Sequence, residues 1–221
     1  MSTGRGNHMA FGNDVARRAG KVVVFEGYDG SGKSTLISEL RRRLPNASIR
    51  VVGRKAESQL VDIAKILERE DQRPDPNAEI LLRIAVEFER LGIVSESLQH
   101  NDIVVCDRGF VSLVSWLDYL GVERAAFESL LVQLGDYYQS ALTLVCEADF
   151  ETCWTRSSQR EQLSRKDRLG KEVNRRYFEQ YDANIHAYAA SNPGCVMIDT
   201  LVNDISGSGN QMIAAIEAHE I

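Results

Sequence analysis

GYDGSGKS occupies residues 27–34 and matches the pattern G-x-x-x-x-G-K-[ST], which is typical of loops that cradle phosphate. The residues before it, KVVVFE at 21–26, predict a buried β-strand, and apolar residues at helical spacing over 35–44 predict a helix after it. Glycines let the backbone N–H groups of the loop point inward, and the start of the helix adds partial positive charge. The stretch therefore predicts a site for the phosphates of a nucleotide.

Two side chains of this loop carry most of the expected chemistry. Lys33 is expected to reach the β- and γ-phosphates, and the Ser34 hydroxyl is expected to bind Mg²⁺. ATP and Mg²⁺ are accordingly the expected cofactors. The residues that we expect to bind the cofactor are Gly27, Asp29, Gly30, Ser31, Gly32, Lys33, Ser34 and Thr35.

Length, charge and cysteine usage limit the class of protein. A chain of 221 residues is long enough for one α/β domain with a real core. The formal net charge of −6 argues against nucleic-acid binding. No apolar run approaches the roughly 18 residues that span a membrane. The four cysteines lack the spacing of a metal site and are expected to be reduced and buried. We therefore expect a cytoplasmic protein with no membrane or nucleic-acid partner.

Five apolar runs separated by helical patterns set the expected fold. The predicted strands cover residues 21–26, 49–53, 102–106, 141–146 and 195–198. Most of them are continuously apolar, as expected of parallel strands that are buried on both faces. The alternation of strands and helices predicts an α/β protein, with a three-layer α/β/α P-loop NTPase fold around a five-stranded parallel sheet.

Charged residues follow two of the predicted strands. Asp107 and Arg108 come directly after the third strand, and Arg54 follows the second. Ligands of such sheets bind beyond the carboxyl ends of the strands. Asp107 is therefore expected to hold Mg²⁺ or its waters, and Arg108 and Arg54 are expected to bind a phosphate of the acceptor. Arg54 could instead be an arginine in a solvent-exposed loop. Asp107 could instead cap a turn at the end of the strand.

An arginine-dense segment follows the fourth predicted strand. Arginines stabilise the charge that develops on a transferred phosphoryl group, and a polar loop can close over a site as a lid. We therefore predict a lid at about residues 156–171. A solvated basic helix face is the alternative. The residues expected to take part in catalysis are Lys33, Asp29, Arg108, Arg156, Arg160 and Arg168.

These motifs together resemble the thymidylate kinase family of P-loop nucleoside monophosphate kinases. The stretch FEGYDGSGKST at 25–35 is similar to the family's phosphate loop, in which an acidic residue stands where Asp29 stands here. Asp107-Arg108 followed by Ser112 resembles the family's strand-end motif, and the arginines of 156–168 resemble its lid. The resemblance implies transfer of the γ-phosphoryl group of ATP to dTMP or a related nucleotide.

The sequence predicts the domain organisation, and the resemblance implies the oligomeric state. Residues 1–9, MSTGRGNHM, look like an expression leader, and residues 10–221 are expected to form a single P-loop kinase domain that includes the lid. Thymidylate kinases are typically homodimers, so a homodimer is expected here too. The apolar helices predicted at 77–99 and 111–120 could supply its interface.

The region expected to bind the acceptor departs from the family pattern. Gly109 stands where the family usually has an aromatic residue, and Ala85-Val86-Glu87 stands where it has an Ala-Asp-Arg-like stretch. For the aromatic candidates in this region, a place in the core is the competing interpretation. The residues expected to bind the acceptor are Arg54, Arg83, Phe88, Arg108, Ser112 and Trp116.

Two other functions are compatible with a phosphate loop. A kinase of a nucleoside or another small-molecule hydroxyl needs a base, and Asp29 or Asp107 could serve. A non-catalytic nucleotide-binding regulator of the GTPase type fits less well, because the chain has no Asn-Lys-x-Asp segment for reading guanine.

Overall fold

The computed structural model describes residues 20–53, 60 and 74–219. Within them, five strands form one parallel sheet in the spatial order β2-β3-β1-β4-β5. The strands are β1 (Lys21–Glu26), β2 (Ile49–Gly53), β3 (Ile103–Asp107), β4 (Leu142–Glu147) and β5 (Cys195–Asp199). Each strand lies within one residue of its predicted position. The predicted fold class is confirmed.

Helices connect the strands and cover both faces of the sheet. In chain order the described α-helices are α1 (Lys33–Arg43), α2 (Pro76–Ser97), α3 (Phe110–Tyr119), α4 (Glu128–Gln139), α5 (Phe150–Ser158), α6 (Arg165–Arg168), α7 (Lys171–Ser191) and α8 (Ile205–Ala218). A short 3₁₀ turn, Arg124–Phe127, leads into α4. Among the helices that the structure describes, none combines the length and apolarity that crossing a membrane requires.

The alternation of side chains along the strands divides the core into two layers. Val24 and Cys106 point to one face, where they pack against apolar residues of α2, α3 and α4. Val23, Phe25 and Val105 point to the other face and pack against α1 and α8. Because both faces are covered, the strands are apolar at successive positions, which is the pattern by which the sequence predicts them.

The strand order fixes where a ligand can bind. β1 is the central strand, with β3 on one side and β4 on the other. After β1 the chain forms β2 and β3 on one side of it, and it then forms β4 and β5 on the other side. The loops after β1, β3 and β4 therefore run in different directions and leave a crevice at the carboxyl end of β1. This crevice is where open α/β sheets bind their ligands. The GYDGSGKS loop follows β1 directly and therefore lies at its centre.

Some predictions need correction, and others fall outside the described residues. Asp107 is the last residue of β3 and pairs with Phe25 and Gly53, whereas the sequence places it just beyond the strand. The four cysteines are free, but Cys195 is only half-buried, because β5 is an edge strand. The predicted leader at 1–9 and the acceptor candidate Arg54 lie outside the described residues.

Candidate active site

The phosphate loop, residues 27–34, has three glycines with positive φ, and at two of them a Cβ would also collide with a neighbouring element. Gly27 has φ of 143° and Gly30 has φ of 86°, in the region that L side chains rarely adopt. A Cβ at Gly27 would lie 2.6 Å from the carbonyl oxygen of Cys146, and a Cβ at Gly30 would collide with that of Cys153. The loop is thus curled tightly against β4 and α5, as a phosphate cradle requires.

The N-terminus of α1 is left open to an anion. Its N-cap is Gly32, which offers no side chain to the first N–H groups, and its first turn holds no acidic residue. By contrast, α2, α5 and α8 are each capped by an aspartate side chain. The unsatisfied N–H groups and the helix dipole of α1 therefore remain available for phosphate.

A cavity of about 320 Å³ opens beside this helix terminus. The phosphate loop forms one wall, the end of α5 and the turn after it form another, and the turn between β5 and α8 forms a third. The predicted cofactor residues Gly30, Gly32, Lys33, Ser34 and Thr35 line it together with Arg156, Arg160, Thr200 and Asn203. The cavity thus brings together the phosphate loop and two of the three predicted lid arginines.

Lys33 is buried and folded back onto its own loop. Its Nζ donates to the carbonyl oxygens of Gly27 at 2.6 Å and Tyr28 at 2.8 Å. Burial, followed by the nearby guanidinium of Arg108, lowers the pKa of Lys33 to about 8. The ammonium group is therefore held at the rim of the cradle with little water around it, where an anion would stabilise its charged form.

Asp29 is held by two cations that come from distant parts of the chain. Arg108 donates to its Oδ1, and Lys166 Nζ lies 2.8 Å from its Oδ2. Burial alone would raise the pKa of Asp29, but Arg108, Lys166 and Lys33 outweigh burial and hold that pKa well below its ordinary value. Asp29 therefore stays ionised at any pH near neutral.

The backbone of Arg108 adopts a left-handed conformation in the turn after β3. Arg108 is the one non-glycine residue with positive φ in the described part of the chain, at 70°. Its Nη1 donates to the carbonyl oxygen of Gly27 at 3.2 Å and to Ser112 Oγ at 3.3 Å. Arg90 supports the turn from below, since its Nη1 donates to the carbonyl oxygen of Arg108 at 2.8 Å. The turn thus points the Arg108 guanidinium back at the phosphate loop.

Glu26, which was not among the predicted site residues, connects the phosphate loop with α3 and α7. Its carboxylate is buried and accepts hydrogen bonds from the Gly109 N–H at 2.8 Å and from Ser112 Oγ at 2.6 Å. Tyr181 Oη donates to the same carboxylate at 2.9 Å and accepts the Gly27 N–H at 2.6 Å. The sequence contains a signal for this role, since Glu26 directly follows a buried apolar run. A carboxylate that is buried in this way needs several hydrogen-bond donors. One buried carboxylate thereby links β1, α3, α7 and the phosphate loop.

The acceptor candidates Arg83 and Trp116, on α2 and α3, lie against each other. The Arg83 guanidinium is 5.0 Å from the centre of the Trp116 ring. The carboxylate of Glu79 accepts from both, at 2.8 Å from Arg83 Nη2 and 2.6 Å from Trp116 Nε1. Phe88 is only partly buried and packs against the core, which matches the competing interpretation of this residue. Glu79 itself was not anticipated.

The three predicted lid arginines occupy different surroundings. Arg156 donates to the carbonyl oxygen of Gly30 at 3.3 Å, and Arg156 and Arg160 both line the cavity. Arg168 is exposed and donates to the carbonyl oxygen of Leu163, so it takes no part in lining that cavity. Lys166, which the sequence did not single out, also reaches the phosphate loop, because the short helix α6 turns its second residue inward and its last outward.

The residues present fit a magnesium ion held between protein and phosphate. Ser34 is exposed in the first turn of α1 at the cavity, and Asp107 ends β3 beside the phosphate loop. In the described part of the chain, His, Cys, Asp and Glu do not gather in threes as a site made of protein ligands alone would need. Mg²⁺ commonly binds through one or two protein oxygens, phosphates and waters, so this sparse donor set suits it.

Asp29→Asn is expected to lower the free energy of unfolding by about 2 kcal/mol at pH 7, because it leaves Arg108 and Lys166 without their carboxylate. The pKa of Asp29 is depressed in the fold, so its contribution is complete above the pKa of the unfolded chain and is lost as the pH falls. Urea unfolding should show a constant gap between the variant and the wild type from pH 5 to 8. The gap should narrow by about 1 kcal/mol by pH 3; an unchanged gap would contradict the ion pairs.

The fold and this cavity define a nucleotide-binding P-loop protein of the phosphotransferase class. A family model described as thymidylate kinase matches residues 25–202, which is most of the chain. The chain therefore belongs to the thymidylate kinase family, and the resemblance noted from its motifs is confirmed. This family consists of nucleoside monophosphate kinases that use ATP and Mg²⁺.

Individual relatives agree with that assignment. A thymidylate kinase of Methylococcus capsulatus is 29% identical over 187 residues, which cover 81% of this chain and 86% of that protein. One of Prochlorococcus marinus is 32% identical over 116 residues, so the chain spans only 52% of that relative's length. The crystal structure of thymidylate kinase from Ehrlichia chaffeensis has a TM-score of 0.64 at 22% identity, covering 89% of this chain and 98% of that one. At this identity the structure supports the fold alone.

Proposed function

We propose that the protein transfers the γ-phosphoryl group of ATP to a nucleoside monophosphate, with dTMP as the expected acceptor. Family membership supports the reaction class. The observation that carries the proposal is the cavity itself, which joins an open helix N-terminus, Lys33 and two arginines. Such a site binds a phosphate chain and neutralises charge, and phosphoryl transfer needs little else from the protein.

On the donor side, the backbone of the phosphate loop would bind the β- and γ-phosphates. Lys33 would exchange its two carbonyl contacts for phosphate oxygens, and Arg156 and Arg160 would face the γ-phosphate from the opposite wall. Ser34 and Asp107 are the residues that would hold Mg²⁺, which when bound neutralises charge on the phosphates. Lys33 would have to leave its carbonyl contacts, whereas Ser34, Arg156 and Arg160 already line the cavity.

On the acceptor side, Arg108 is the residue best placed to bind a phosphate. It points from the end of β3 towards the phosphate loop, and Ser112 and Gly27 hold it there. Arg83 and Trp116 would lie farther along the crevice, where a base could stack on the indole ring. Arg54 is proposed to meet the acceptor phosphate on the sequence argument alone.

The state of Asp29 bears on the choice between a phosphate acceptor and an alcohol acceptor. A general base works best when its pKa is near the working pH. The pKa of Asp29 lies well below its ordinary range, because Arg108 and Lys166 surround a buried carboxylate. Asp29 is therefore a poor base, and a hydroxyl kinase loses one of its two candidates. A monophosphate, which is already anionic, needs no such base.

A substrate panel tests the proposal. The purified protein is incubated with ATP, Mg²⁺ and single acceptors, and release of ADP is measured for the common nucleoside monophosphates, nucleosides and simple alcohols. Turnover is expected with dTMP. If only nucleosides or other alcohols turn over, the phosphate acceptor is wrong. If nucleotide binds and no acceptor turns over, a non-catalytic regulator is the better description.

Arg160→Ala is expected to lower kcat by about 10-fold to 100-fold and to change the KM for ATP by less than about threefold. The side chain is exposed at the cavity wall, so the proposed partner is charge that develops in the transition state. Steady-state kinetics give both constants. Lys171→Ala is the matched control, since this basic residue ends the same segment, pairs with Glu151 at the surface and lies outside the cavity lining, and it should retain nearly full kcat. A change confined to KM would contradict the role of Arg160.

We also propose a homodimer in the cytoplasm. The apolar residues of α3 are buried or half-buried within the chain, whereas Leu81 on α2 is 51% exposed, so α2 is the better candidate interface. The four free cysteines suit a reducing compartment. Sedimentation of the wild type and of Leu81→Glu tests the dimer: the variant should sediment as a monomer.

A further inference from the structure

We propose that Lys166 is a positioning residue for phosphoryl transfer, which fixes the lid segment to the phosphate loop through Asp29. The inference deepens the proposed function and rests on it. The segment concerned runs from the end of α5 through α6, and it carries Arg156 and Arg160 at the cavity wall.

The Lys166 side chain has an enclosed and specific environment. Its Nζ lies 2.8 Å from Asp29 Oδ2, and its side chain is 11% exposed. The same ammonium lies 3.7 Å from the centre of the Tyr28 ring and 4.7 Å from that of Tyr177, so two aromatic faces complete its surroundings. A lysine that merely covered a surface would keep its charge in water. This one is directed at a carboxylate of the phosphate loop.

The backbone that carries Lys166 is fixed as well. Ser164 and Asp167 form a reciprocal capping box at the start of α6. Asn174, which is fully buried, donates from Nδ2 to the carbonyl oxygen of Lys166 at 2.7 Å. Tyr28 Oη donates to the backbone carbonyl of Asn174 at 2.9 Å. Hydrogen bonds therefore hold the backbone of Lys166 in place, in addition to the ion pair that its side chain forms with Asp29.

Charge explains why such a contact serves the reaction. Arg108, Lys166 and Lys33 place three positive charges around Asp29, and Glu26 beside Arg108 adds a second negative charge, so positive charge remains for a phosphate. Arg160 lies six positions before Lys166, so anchoring α6 to the loop also limits how far Arg160 can move from the cavity. Lys166 thus acts on the reaction through Asp29 and through the placement of the lid, without being assigned a contact with substrate.

The first test compares Lys166→Met with Lys166→Arg and with Lys171→Met. Methionine keeps the length and apolar stem of lysine between the two rings, and arginine restores the charge. Lys171 pairs with Glu151 at the surface and is 48% exposed, which makes it a matched control outside the proposed site. Lys166→Met is expected to lower kcat at least about tenfold with less than about a threefold change in the KM for ATP, and Lys166→Arg should recover part of the loss.

The second test decides whether Lys166 acts through Asp29. If it does, adding Lys166→Met to Asp29→Asn should change kcat by less than about twofold, because the partner is already lost. If the loss of kcat in the double variant equals the product of the losses in Lys166→Met and Asp29→Asn, the positioning role is wrong. Equal loss in Lys171→Met would overturn it too.

Hydrogen exchange separates failure of this inference from failure of the proposed function. In Lys166→Met, the backbone amides of residues 159–170 should exchange at least about tenfold faster than in the wild type, and in Lys171→Met they should not. Unchanged exchange in Lys166→Met would overturn the inference. If the wild type turns over no nucleotide, the proposed function fails, while the exchange comparison still decides whether Lys166 holds the segment.

Discussion

Lys33→Ala is expected to lower kcat by at least about 10²-fold while the protein stays folded. Lys33 is the one lysine among the residues that line the cavity, and its ammonium group is expected to neutralise charge on the phosphates. Alanine also frees the carbonyl oxygens of Gly27 and Tyr28, which Lys33 holds in the absence of nucleotide. Steady-state kinetics with ATP and dTMP measure the change in kcat. Circular dichroism shows whether the variant stays folded.

Lys21→Ala provides a matched control for that experiment. Lys21 Nζ also donates to two backbone carbonyl oxygens, those of Ile216 at 3.0 Å and His219 at 2.9 Å. It begins β1, at the end of the sheet opposite the cavity. This variant should lose about 1–2 kcal/mol of unfolding free energy and keep kcat within about twofold. Normal turnover in Lys33→Ala would refute the phosphate site, and equal loss in both variants would show that stability alone limits activity.

Arg90→Met is expected to cost about 3–5 kcal/mol of unfolding free energy, the largest stability effect that we anticipate. The side chains of Arg90 and Glu87 are 2% and 4% exposed and form an ion pair, and Tyr138 Oη lies 2.5 Å from Arg90 Nη2. Removing the arginine leaves a buried carboxylate with no cation beside it. Urea unfolding of both proteins at pH 7 measures the difference.

Two further variants sharpen the interpretation of Arg90→Met. Arg124 pairs with Asp118 but is 51% exposed, so Arg124→Met should cost less than about 1 kcal/mol. Adding Glu87→Leu to Arg90→Met should recover most of the stability, because no charge then remains buried. Both the single and the double variant should have a lower kcat than the wild type, since the carbonyl oxygen of Arg108 lacks its donor in each. A cost below 1 kcal/mol for Arg90→Met alone would contradict the buried pair.

The sequence predicts the fold well because the relevant signals are local. Continuous apolar runs marked all five described strands, and the glycine pattern located the loop where φ must be positive. Asp107 shows the limit of such signals: its apolar neighbours end at Cys106, yet the ladder with β1 and β2 extends one residue farther. Strand ends depend on pairing with other strands, which no local pattern records.

The candidate site was predicted less completely, because its geometry depends on contacts between distant residues. The arginine-rich pattern located a segment near the cavity but could not distinguish Arg160, which faces the cavity, from Arg168, which faces solvent. Lys166 reaches Asp29 across the fold, and its role follows from where α6 begins. Glu79 and Glu26 bind partners on other elements, so their importance appears only once those elements are assembled.

The phosphate loop, finally, is shaped by residues that are synthesised long after it. The Gly27 N–H is held by Tyr181, 154 positions later, and the carbonyl oxygen of Ser31 accepts from Thr200, 169 positions later. A ribosome-bound chain that ends before Tyr181 therefore contains the complete motif but neither of these two hydrogen bonds. We therefore expect a nascent chain to bind nucleotide only after α7 and the turn that follows β5 have been synthesised and have folded.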